Sequence, residues 1–358
     1  MENKKFTNEI VRDHNSQLYV QLSPEEGESI PGFCIRLSTH LNSKNYNIIK
    51  VTCFGSITYR ETFEKELKSH ASGRFPITWI EGENCTDAFM NGIQVWALES
   101  EVKYLETDFD ALASFFEDEN ARYLYMGQIF SDPAKHAGIG YTKLLKDVDR
   151  FLGKHGFTFK DIVRTWYYLD NILIWYDEFN QLRSDYFQKS SVFENLIPAS
   201  TAVSGRNQKG SSVTMELFAV LPKNNSISIE KLSSPLQNEA NDYGSAFSRA
   251  VKVNSNGSQW TSISGTASIL QSGETVYEGD SVKQIQFSFS VIEELLKREG
   301  YGFNDIVRST AYLKNTSIYP VLQSFFKQFP EYQIPLIITE NTVCRDNLLF
   351  EIEMDLLI

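Results

Sequence analysis

Apolar residues along the chain follow two spacings that alternate with each other. Two segments carry apolar residues three to four positions apart, the period of an amphipathic helix: Leu144, Leu145, Val148 and Leu152, and Val291, Ile292, Leu295 and Leu296. A glycine follows each segment, at Gly156 and Gly300, as is common after the last turn of a helix. The residues after each glycine alternate as in a strand, with β-branched and aromatic side chains on both faces.

The same order of further elements follows in both places. A second helix is predicted in each, through Phe179, Leu182 and Phe187 and through Val321, Phe325 and Phe326. A pair of strands that starts at a proline closes each segment, at Pro198 and at Pro335. Each segment also opens with a strand that ends near a glycine, in residues 126–129 and 264–269. We therefore expect units made of a mixed sheet with two helices on one face.

An internal repeat accounts for this agreement. Residues 156–171 read G-F-T-F-K-D-I-V-R-T-W-Y-Y-L-D-N, and residues 300–315 read G-Y-G-F-N-D-I-V-R-S-T-A-Y-L-K-N. Nine of the sixteen positions are identical without a gap, at an offset of 144 residues. Self-similarity of this kind indicates duplication of one structural unit. Arg164 and Arg308 are therefore predicted to occupy the same place in two copies.

The length of 358 residues allows two or three packed units. We expect a middle unit at residues 106–222 and a C-terminal unit at residues 236–358, joined by a polar, turn-rich linker at 222–237. Residues 1–105 are a candidate for a degenerate third copy, because two apolar stretches there imitate the end of the later units, although a helical half is hard to see. The sequence thus predicts an α+β fold of tandem units.

Composition and charge narrow the possible functions. The chain is 42% hydrophobic and 22% charged, as expected of a globular protein with a sizeable core. Its net charge of −12 and pI of about 5.0 disfavour a nucleic-acid partner, because such partners are bound largely through basic residues. Residues 1–5 are polar and lead into no signal-peptide run, and no stretch approaches the ~20 apolar residues of a membrane span. We expect a cytoplasmic protein with no membrane or nucleic-acid partner.

The cysteines and histidines show no metal-site spacing. The four cysteines form no C-x-x-C pair, and the five histidines are not paired at i, i+4. Reduced thiols are the simplest interpretation of the cysteines. Glycine-rich nucleotide loops are missing as well. The sequence therefore predicts chemistry by side chains alone, with no cofactor and no metal.

Several short motifs resemble the YjgF/RidA superfamily, whose members form trimers with sites between subunits. In the C-terminal unit the motifs are Phe247-Ser248-Arg249-Ala250-Val251, Ser264-Gly265-Thr266-Ala267-Ser268-Ile269, Gly279-Asp280, Gln284 and Phe350-Glu351-Ile352-Glu353. The chain is more specifically similar to the chorismatases, in which an extra N-terminal part precedes this unit. The motifs for that branch are residues 163–166, 198–201, 205–207, 242–249 and 344–345.

This resemblance implies both a fold and an activity. The units would have the YjgF/RidA fold, also called chorismate-mutase-like or endoribonuclease L-PSP-like, and three of them in one chain would form a pseudo-trimer. Chorismatases remove pyruvate from chorismate without a cofactor, as enzymes of secondary metabolism. The implied partner is therefore a small molecule, chorismate, and the chain would be a monomer or a homo-oligomer.

Glu351 is the expected general acid. Cleavage of the enol ether of chorismate needs a proton at the methylene carbon, and a carboxylic acid with a raised pKa in a dry pocket suits this task. The strand alternates, with Leu349, Glu351 and Glu353 on one face. From the alternation alone, we would expect both glutamates to face solvent. The resemblance implies that Glu351 is the acid, and we still expect Glu353 to face solvent. The matching strand of the middle unit places Thr214 opposite Glu351, so that unit is predicted to have lost the acid.

Cys344 and Gly265 indicate which product would be formed from chorismate. A lone cysteine is most often an inert core residue, but in the chorismatases this position separates product types. Cys344 together with Gly265 resembles the branch that forms 3-hydroxybenzoate, in which the substrate's own hydroxyl displaces the pyruvate unit and the cysteine helps to open the resulting epoxide. The other branch hydrolyses chorismate to a dihydroxycyclohexadiene carboxylate.

Arginines are the expected partners of the two substrate carboxylates, because a guanidinium offers a planar, bidentate fork. Arg206 and Arg249 are the candidates. Arg164 either contacts the substrate or shares with Arg308 a structural role, such as bridging helix to sheet.

Other residues complete the expected site. Gly265 and Thr266 lie in a loop whose backbone could approach the ligand closely. Phe247 stands where simpler members of the superfamily have a pocket tyrosine. The aromatic helix with Trp175, Tyr176 and Phe179 is interpreted as core.

Two functions from other classes stay open. A RidA-type imine or enamine deaminase would carry a carboxylate-binding arginine shortly after the proline of the last unit, but residues 335–339 read P-L-I-I-T. A non-enzymatic or RNA-directed role is disfavoured by the acidic pI.

Overall fold

The computed structural model describes residues 9–14, 16–240, 244–255 and 257–358. The polar residues 1–5, and Asp242 and Tyr243 of one chorismatase-like motif, lie outside the described residues. Within this part of the chain there are six α-helices and seventeen strands, and the strands form three mixed sheets. No helix among them is long and apolar enough to cross a membrane. The predicted α+β fold of tandem units is confirmed.

The elements follow one another in the same order in all three units. The first unit contains β1 (Glu9–His14), β2 (Gln17–Leu22), α1 (Ile30–Leu41), β3 (Asn47–Phe54), α2 (Arg60–His70), β4 (Ile77–Ile80) and β5 (Gly92–Leu98). The second contains β6 (Lys103–Glu106), β7 (Leu112–Glu117), β8 (Ala121–Phe130), α3 (Ala137–Lys154), β9 (Ile162–Leu169), α4 (Ile172–Lys189), β10 (Ala199–Ser204) and β11 (Val213–Pro222). The third contains β12 (Ser228–Leu232), β13 (Ala250–Ser255), β14 (Ser258–Ala267), α5 (Ser281–Glu299), β15 (Ile306–Leu313), α6 (Tyr319–Gln328), β16 (Ile337–Glu340) and β17 (Phe350–Leu357).

The three sheets share one strand order. One edge of each sheet is a pair of parallel strands. From that edge to the other, the orders are β4-β3-β5-β2-β1, β10-β9-β11-β8-β7-β6 and β16-β15-β17-β14-β13-β12. The first unit is therefore a third copy, and its helical half is α1 and α2. The apolar pattern of α2 is hard to detect because Phe63 and Leu67 are its buried residues in an otherwise polar helix. Strand β12 lies inside the segment predicted as a linker and pairs with β13; the predicted unit boundaries stay predictions.

Local signals explain where the helices of the third unit begin and end. The side chain of Asp280 accepts a hydrogen bond from the backbone N–H of Lys283 and so caps the N-terminus of α5. Gly300 ends α5 in the left-handed conformation, with φ of 78°. A proline, Pro320, stands in the first turn of α6, where its missing N–H costs nothing.

Each helix pair covers one face of its own sheet, and the opposite faces meet in a central core. Apolar residues of all three sheets pack there, among them Ile80, Val203 and Ile337. The inner strands of every sheet are therefore covered on both faces. Side chains that alternate along such a strand are buried whichever way they point.

Three cations mark the pseudo-threefold axis of this arrangement. Lys50, Arg164 and Arg308 stand at one register position on β3, β9 and β15, next to the bulge of each strand. The predicted equivalence of Arg164 and Arg308 is thus confirmed, and Lys50 extends it to the first unit. Each cation reaches a side chain of another unit: Lys50 Nζ lies 3.1 Å from Glu216 Oε2, Arg164 Nη2 lies 2.5 Å from Glu353 Oε2, and Arg308 Nη1 donates to Gln94 Oε1 at 2.8 Å.

The interpretation of Glu353 as solvent-facing was wrong. Its carboxylate is fully buried and also lies 3.1 Å from Nη1 of Arg308. The alternation along β17 was assigned correctly, but helices cover one face of the strand and the other units cover the second face. Arg164 likewise joins two units through Glu353, rather than joining a helix to a sheet.

Candidate active site between the second and third units

The three units differ at the position of the expected acid. Equivalent register positions on β5, β11 and β17 carry Gly92, Thr214 and Glu351, each beside an aromatic residue of the adjacent strand. The predicted placement of Thr214 opposite Glu351 is confirmed by this register. Of the three interfaces related by the pseudo-threefold axis, the one beside β17 keeps a carboxyl group at this position.

Glu351 lies where β10 of the second unit packs against β14 of the third. Thr201 on β10 links the two units: its Oγ1 accepts a hydrogen bond from Arg164 Nη2 at 2.7 Å and from the backbone N–H of Gly265 at 3.0 Å. The loop with Gly265 is thereby held against the second unit. The position of the acid is therefore fixed by contacts between units as well as by its own strand.

A cavity opens at this interface. Five of the eight site residues predicted from the sequence line it, namely Glu351, Cys344, Arg249, Phe247 and Gly265. The second unit contributes Tyr176, Arg183, Ser200 and Ala202, and the third also contributes Ser245, Ala267, Ile269 and Arg345. The cavity is thus built by two units that are far apart in sequence.

Burial controls the protonation state of Glu351. Its side chain is 5% exposed, and burial together with the negative charge of Glu353 raises its pKa to about 8, although Arg164 acts in the opposite direction. Most of the carboxyl group is therefore protonated at neutral pH. A neutral carboxylic acid in a cavity can donate its proton to a bound molecule.

Gly265 is required by a close approach rather than by its backbone torsion. A Cβ atom at this position would overlap Oε1 of Glu351 and would lie 2.9 Å from its Cδ. From the sequence, we expected the ligand to approach the backbone at Gly265. The structure shows that the carboxyl group of Glu351 occupies it.

Cys344 is a protonated thiol at neutral pH. Burial, with the nearby charge of Glu351, raises the pKa of Cys344 to about 12, although the charge of Arg345 and a hydrogen bond with Tyr176 act in the opposite direction. Tyr176 was interpreted as core; it packs against the core of the second unit and also lines the cavity, while Trp175 and Phe179 belong to that core. The thiol can therefore donate a hydrogen bond or a proton, but it is not a ready thiolate nucleophile.

Arg183 is a cavity residue that the sequence analysis missed. It is 1% exposed and lies over the ring of Phe179, with its guanidinium carbon 4.9 Å from the ring centroid. Its Nη2 donates to Oδ1 of Asn180 at 2.7 Å, its Nε has no hydrogen-bond partner, and no ion pair involves it among the described residues. A signal was present: Trp175, Phe179 and Arg183 are four residues apart, so a cation lies on the buried stripe of α4.

Two further arginines of the third unit stand around the same cavity. Arg249 donates from Nε and Nη2 to the carbonyl oxygen of Asn238, at 2.9 and 2.7 Å, and lies 5.3 Å from the ring centroid of Phe247. Arg345, next to Cys344, donates from Nη1 to the carbonyl oxygen of Gly273 at 2.6 Å. With Arg183, three arginines line the same cavity as a protonated acid, which favours an anionic ligand.

The structure does not bring the other three predicted residues into this cavity. The side chain of Arg206 is 71% exposed and lies in a separate surface cleft, with Nε 3.7 Å from Oδ1 of Asp170. Arg164 lies fully buried behind Glu351 and pairs with Glu353. The hydroxyl of Thr266 donates to a backbone carbonyl of its own strand at 2.9 Å.

One family model and several solved structures match this chain. Residues 239–355 match the family model described as Endoribonuclease L-PSP. The crystal structure of a chorismatase matches with a TM-score of 0.68 and 16% sequence identity, over 88% of this chain and 94% of that chain. Yeast Mmf1 matches at 17% identity over 36% of this chain and 98% of its own, with a TM-score of 0.30. E. coli TdcF with bound serine matches at 19% identity over 36% of this chain and 97% of its own, with a TM-score of 0.29.

No curated protein sequence matches the chain. At 16% identity the similarity to the chorismatase establishes the fold. The chain therefore has the chorismatase fold of three tandem YjgF/RidA-like units, and its third unit, which carries Glu351, matches the Endoribonuclease L-PSP family.

Proposed function

We propose that this chain is an enzyme that releases pyruvate from chorismate, with Glu351 as the general acid. The observation that carries the proposal is a buried carboxyl group with a raised pKa in a cavity that three arginines line. Chorismate supplies what such a site would act on, an enol ether that accepts a proton and two carboxylates that pair with guanidinium groups.

The proposed first step is proton transfer from Glu351 to the methylene carbon of the enolpyruvyl group. A new C–H bond forms, and the enolpyruvyl carbon becomes oxocarbenium-like. The bond between the ring carbon and the ether oxygen then breaks, and pyruvate leaves with both electrons of that bond. In the 3-hydroxybenzoate branch, the ring hydroxyl attacks the ring carbon and forms an epoxide, and its proton restores the carboxylic acid of Glu351. In the hydrolytic branch, water supplies the oxygen and the proton.

The arginines of both units would hold the substrate for this step. Arg183 has no carboxylate partner in the described structure, although a buried, unpaired guanidinium is costly. A substrate carboxylate placed against Arg183 would remove that cost. Arg249 and Arg345 line the same cavity and would hold the second carboxylate, which would orient the enol ether toward Glu351.

A fall in activity above pH 8 is the expected pH dependence. The reaction needs Glu351 in its protonated form, which dominates below its pKa of about 8 and decreases about tenfold for each pH unit above it. Values of kcat/KM for chorismate should therefore be level between about pH 6 and 7.5 and fall at higher pH. Activity that rises through pH 8 would contradict the role of Glu351 as an acid.

Cys344 is proposed to assist the 3-hydroxybenzoate outcome. Because its pKa is raised to about 12, the group that meets the epoxide is a thiol, which can donate a proton to the epoxide oxygen as the C–O bond breaks. The ring carbon that keeps the oxygen then loses its proton, which makes the ring aromatic and restores the thiol. Glu351 and Cys344 line the same cavity, so the two steps need no movement of the ring to another site. This choice of product also needs water to be kept out of the cavity.

Replacing Cys344 by Ala should slow formation of the aromatic product or divert it to the dihydroxycyclohexadiene carboxylate. Pyruvate release should change less, because protonation by Glu351 comes first. Product analysis by chromatography after incubation with chorismate measures the ratio. Cys85→Ala is the control, since Cys85 packs against the helices of the third unit and does not line the cavity. Wild-type protein that forms the diene alone would contradict the branch assignment.

The deaminase alternative finds little support at this cavity. In the simple deaminases the carboxylate-binding arginine comes shortly after a proline. In the second unit the corresponding segment is Ala199-Ser200-Thr201, which follows Pro198 and lies on the strand that lines the cavity. In the third unit the strand after Pro335 does not line the cavity, and its Ile337 lies against the first unit. Neither segment provides the arginine of the simple deaminases.

Purified protein offered chorismate, an imine derived from an amino acid, and single-stranded RNA separates the candidate functions. We expect pyruvate from chorismate, measured by lactate dehydrogenase coupling, and no turnover of the other two. Imine hydrolysis without chorismate turnover would replace this proposal with the deaminase.

A further inference from the structure

The hydroxyl of Thr201 accepts two hydrogen bonds at the interface that holds Glu351. Its Oγ1 accepts from the backbone N–H of Gly265 at 3.0 Å and from Nη2 of Arg164 at 2.7 Å. A hydroxyl oxygen has two lone pairs, so both acceptor positions are in use. Thr201 is 2% exposed and does not line the cavity with Glu351. One buried side chain thus directs a donor of the second unit and a donor of the third.

Both donors stand beside the carboxyl group of Glu351. A Cβ atom on Gly265 would overlap Oε1 of Glu351, so the loop and the carboxyl group are in close contact. Nη2 of Arg164 also donates to Oε2 of Glu353 at 2.5 Å, and Glu353 lies two residues beyond Glu351 on the same face of β17. Among the described residues, no hydrogen bond joins Arg164 or the N–H of Gly265 to Glu351. The threonine and Glu353 are the acceptors that keep these donors occupied.

The interface between the first and second units contains the same threonine without the acid. Thr78 on β4 has the register position of Thr201 on β10, opposite the second residue after the cation of the neighbouring strand. Its Oγ1 accepts from the backbone N–H of Gln128 at 3.1 Å, and Gln128 has the place of Gly265 in the bulge of its strand. Thr214 replaces the acid there. The hydrogen bond between bulge and threonine is therefore common to both interfaces, and the interface with the acid adds to it a bond from a guanidinium group.

We propose that Thr201 is a positioning residue for Glu351, because its hydroxyl oxygen directs the Gly265 N–H and the Arg164 guanidinium away from the carboxyl group. The consequence for catalysis rests on the role of Glu351 proposed above. Without this oxygen, two buried donors lack an acceptor, which is costly, and the carboxylate form of Glu351 is the acceptor beside them. Hydrogen bonds to that form stabilise it and lower the pKa of Glu351 from its value of about 8. The acid would then lose its proton at a lower pH.

The other charged and titratable groups around Glu351 are unchanged when Thr201 is replaced. Within the sheets they are Glu353 on its own strand, Tyr312 opposite it on β15, and Arg164 on β9. In the cavity they are Tyr176 and Arg183 of α4, and Arg249, Cys344 and Arg345 of the third unit. A shift in the pKa of Glu351 in such a variant therefore reports on the two donors that Thr201 holds.

Thr201→Val tests the proposal, because valine has the shape of threonine and no acceptor. Carbon NMR of protein labelled at the glutamate carboxyl carbon follows the titration of Glu351, and Glu351→Gln assigns its signal. We expect the midpoint to fall by at least about one pH unit in Thr201→Val and to keep the wild-type value in Thr201→Ser, which retains the oxygen. The fall in kcat/KM for chorismate should move to lower pH by the same amount. Thr78→Val is the matched control, since it removes the same bond from the other interface and should not move the titration.

Equal midpoints for Glu351 in wild type and Thr201→Val would overturn the proposal. An equal shift in Thr78→Val would also overturn it, because the effect would then be a general loosening of the interfaces. The NMR titration needs no substrate, so protein that shows the expected shift but does not turn over chorismate would contradict the proposed function and support the positioning role. If Thr201→Val does not fold, Thr201→Ala removes the same oxygen without adding bulk, and its midpoint should fall in the same direction.

Discussion

Replacing Glu351 by Gln is expected to lower pyruvate release from chorismate by at least ~10²-fold. Gln has the size and hydrogen-bonding capacity of a protonated Glu but no proton to transfer. Because the pKa of Glu351 is raised to about 8, the substitution exchanges one neutral side chain for another at pH 7. The protein should therefore fold with nearly unchanged stability. Steady-state assays coupled to lactate dehydrogenase measure the rate, and thermal unfolding checks the fold.

Glu294→Gln on the surface of α5 is the matched control for this substitution. It makes the same chemical change far from the cavity and should leave the rate unchanged. Pyruvate release by Glu351→Gln at close to the wild-type rate would remove Glu351 from the mechanism, and another group would have to protonate the enol ether.

Replacing Gly265 by Ala is expected to reduce pyruvate release by a similar factor, about 10²-fold, without touching a reactive group. The added Cβ would overlap Oε1 of Glu351, so the carboxyl group must move. The loop cannot easily retreat, because the backbone N–H of Gly265 donates to Thr201 of the second unit at 3.0 Å. A carboxyl group pushed toward water also has a lower pKa, so the remaining activity should begin to fall at a lower pH than in wild type.

Gly302→Ala is the control, because no heavy atom lies within 4 Å of a Cβ at that position. It should retain wild-type activity and the same pH profile. If Gly265→Ala does the same, the close contact between the loop and Glu351 has no part in catalysis.

The repeated fold was predictable from the sequence because each unit carries its own local signals. The match around Arg164 and Arg308 predicted two copies, and the structure places both residues at one register position. The first copy was harder to detect, since α2 buries only Phe63 and Leu67 and its strands lack the motif of the other copies. Glu353 was misread because alternation along one strand does not reveal that other units cover its second face.

Only the residues that the third unit contributes to the candidate site were predictable from the sequence. Glu351, Cys344 and Gly265 lie close together in one unit and carry the resemblance to the chorismatases. Tyr176 and Arg183 come from α4 of the second unit, and their place in the cavity depends on how the units pack, which no local pattern shows. Arg206 was chosen for its residue type and loop, but it is exposed in a separate cleft after the end of β10 and does not line the cavity with Glu351.

The central claim is that the cavity with Glu351 cleaves the enol ether of chorismate, and proton NMR of one reaction mixture tests it most directly. Chorismate, pyruvate and the ring product give separate signals and can be followed together over time. We predict one pyruvate for each chorismate consumed, at a rate that Glu351→Gln lowers by at least ~10²-fold, with 3-hydroxybenzoate as the ring product. Loss of chorismate at the rate seen without protein, with no increase in the pyruvate methyl signal, would contradict the account.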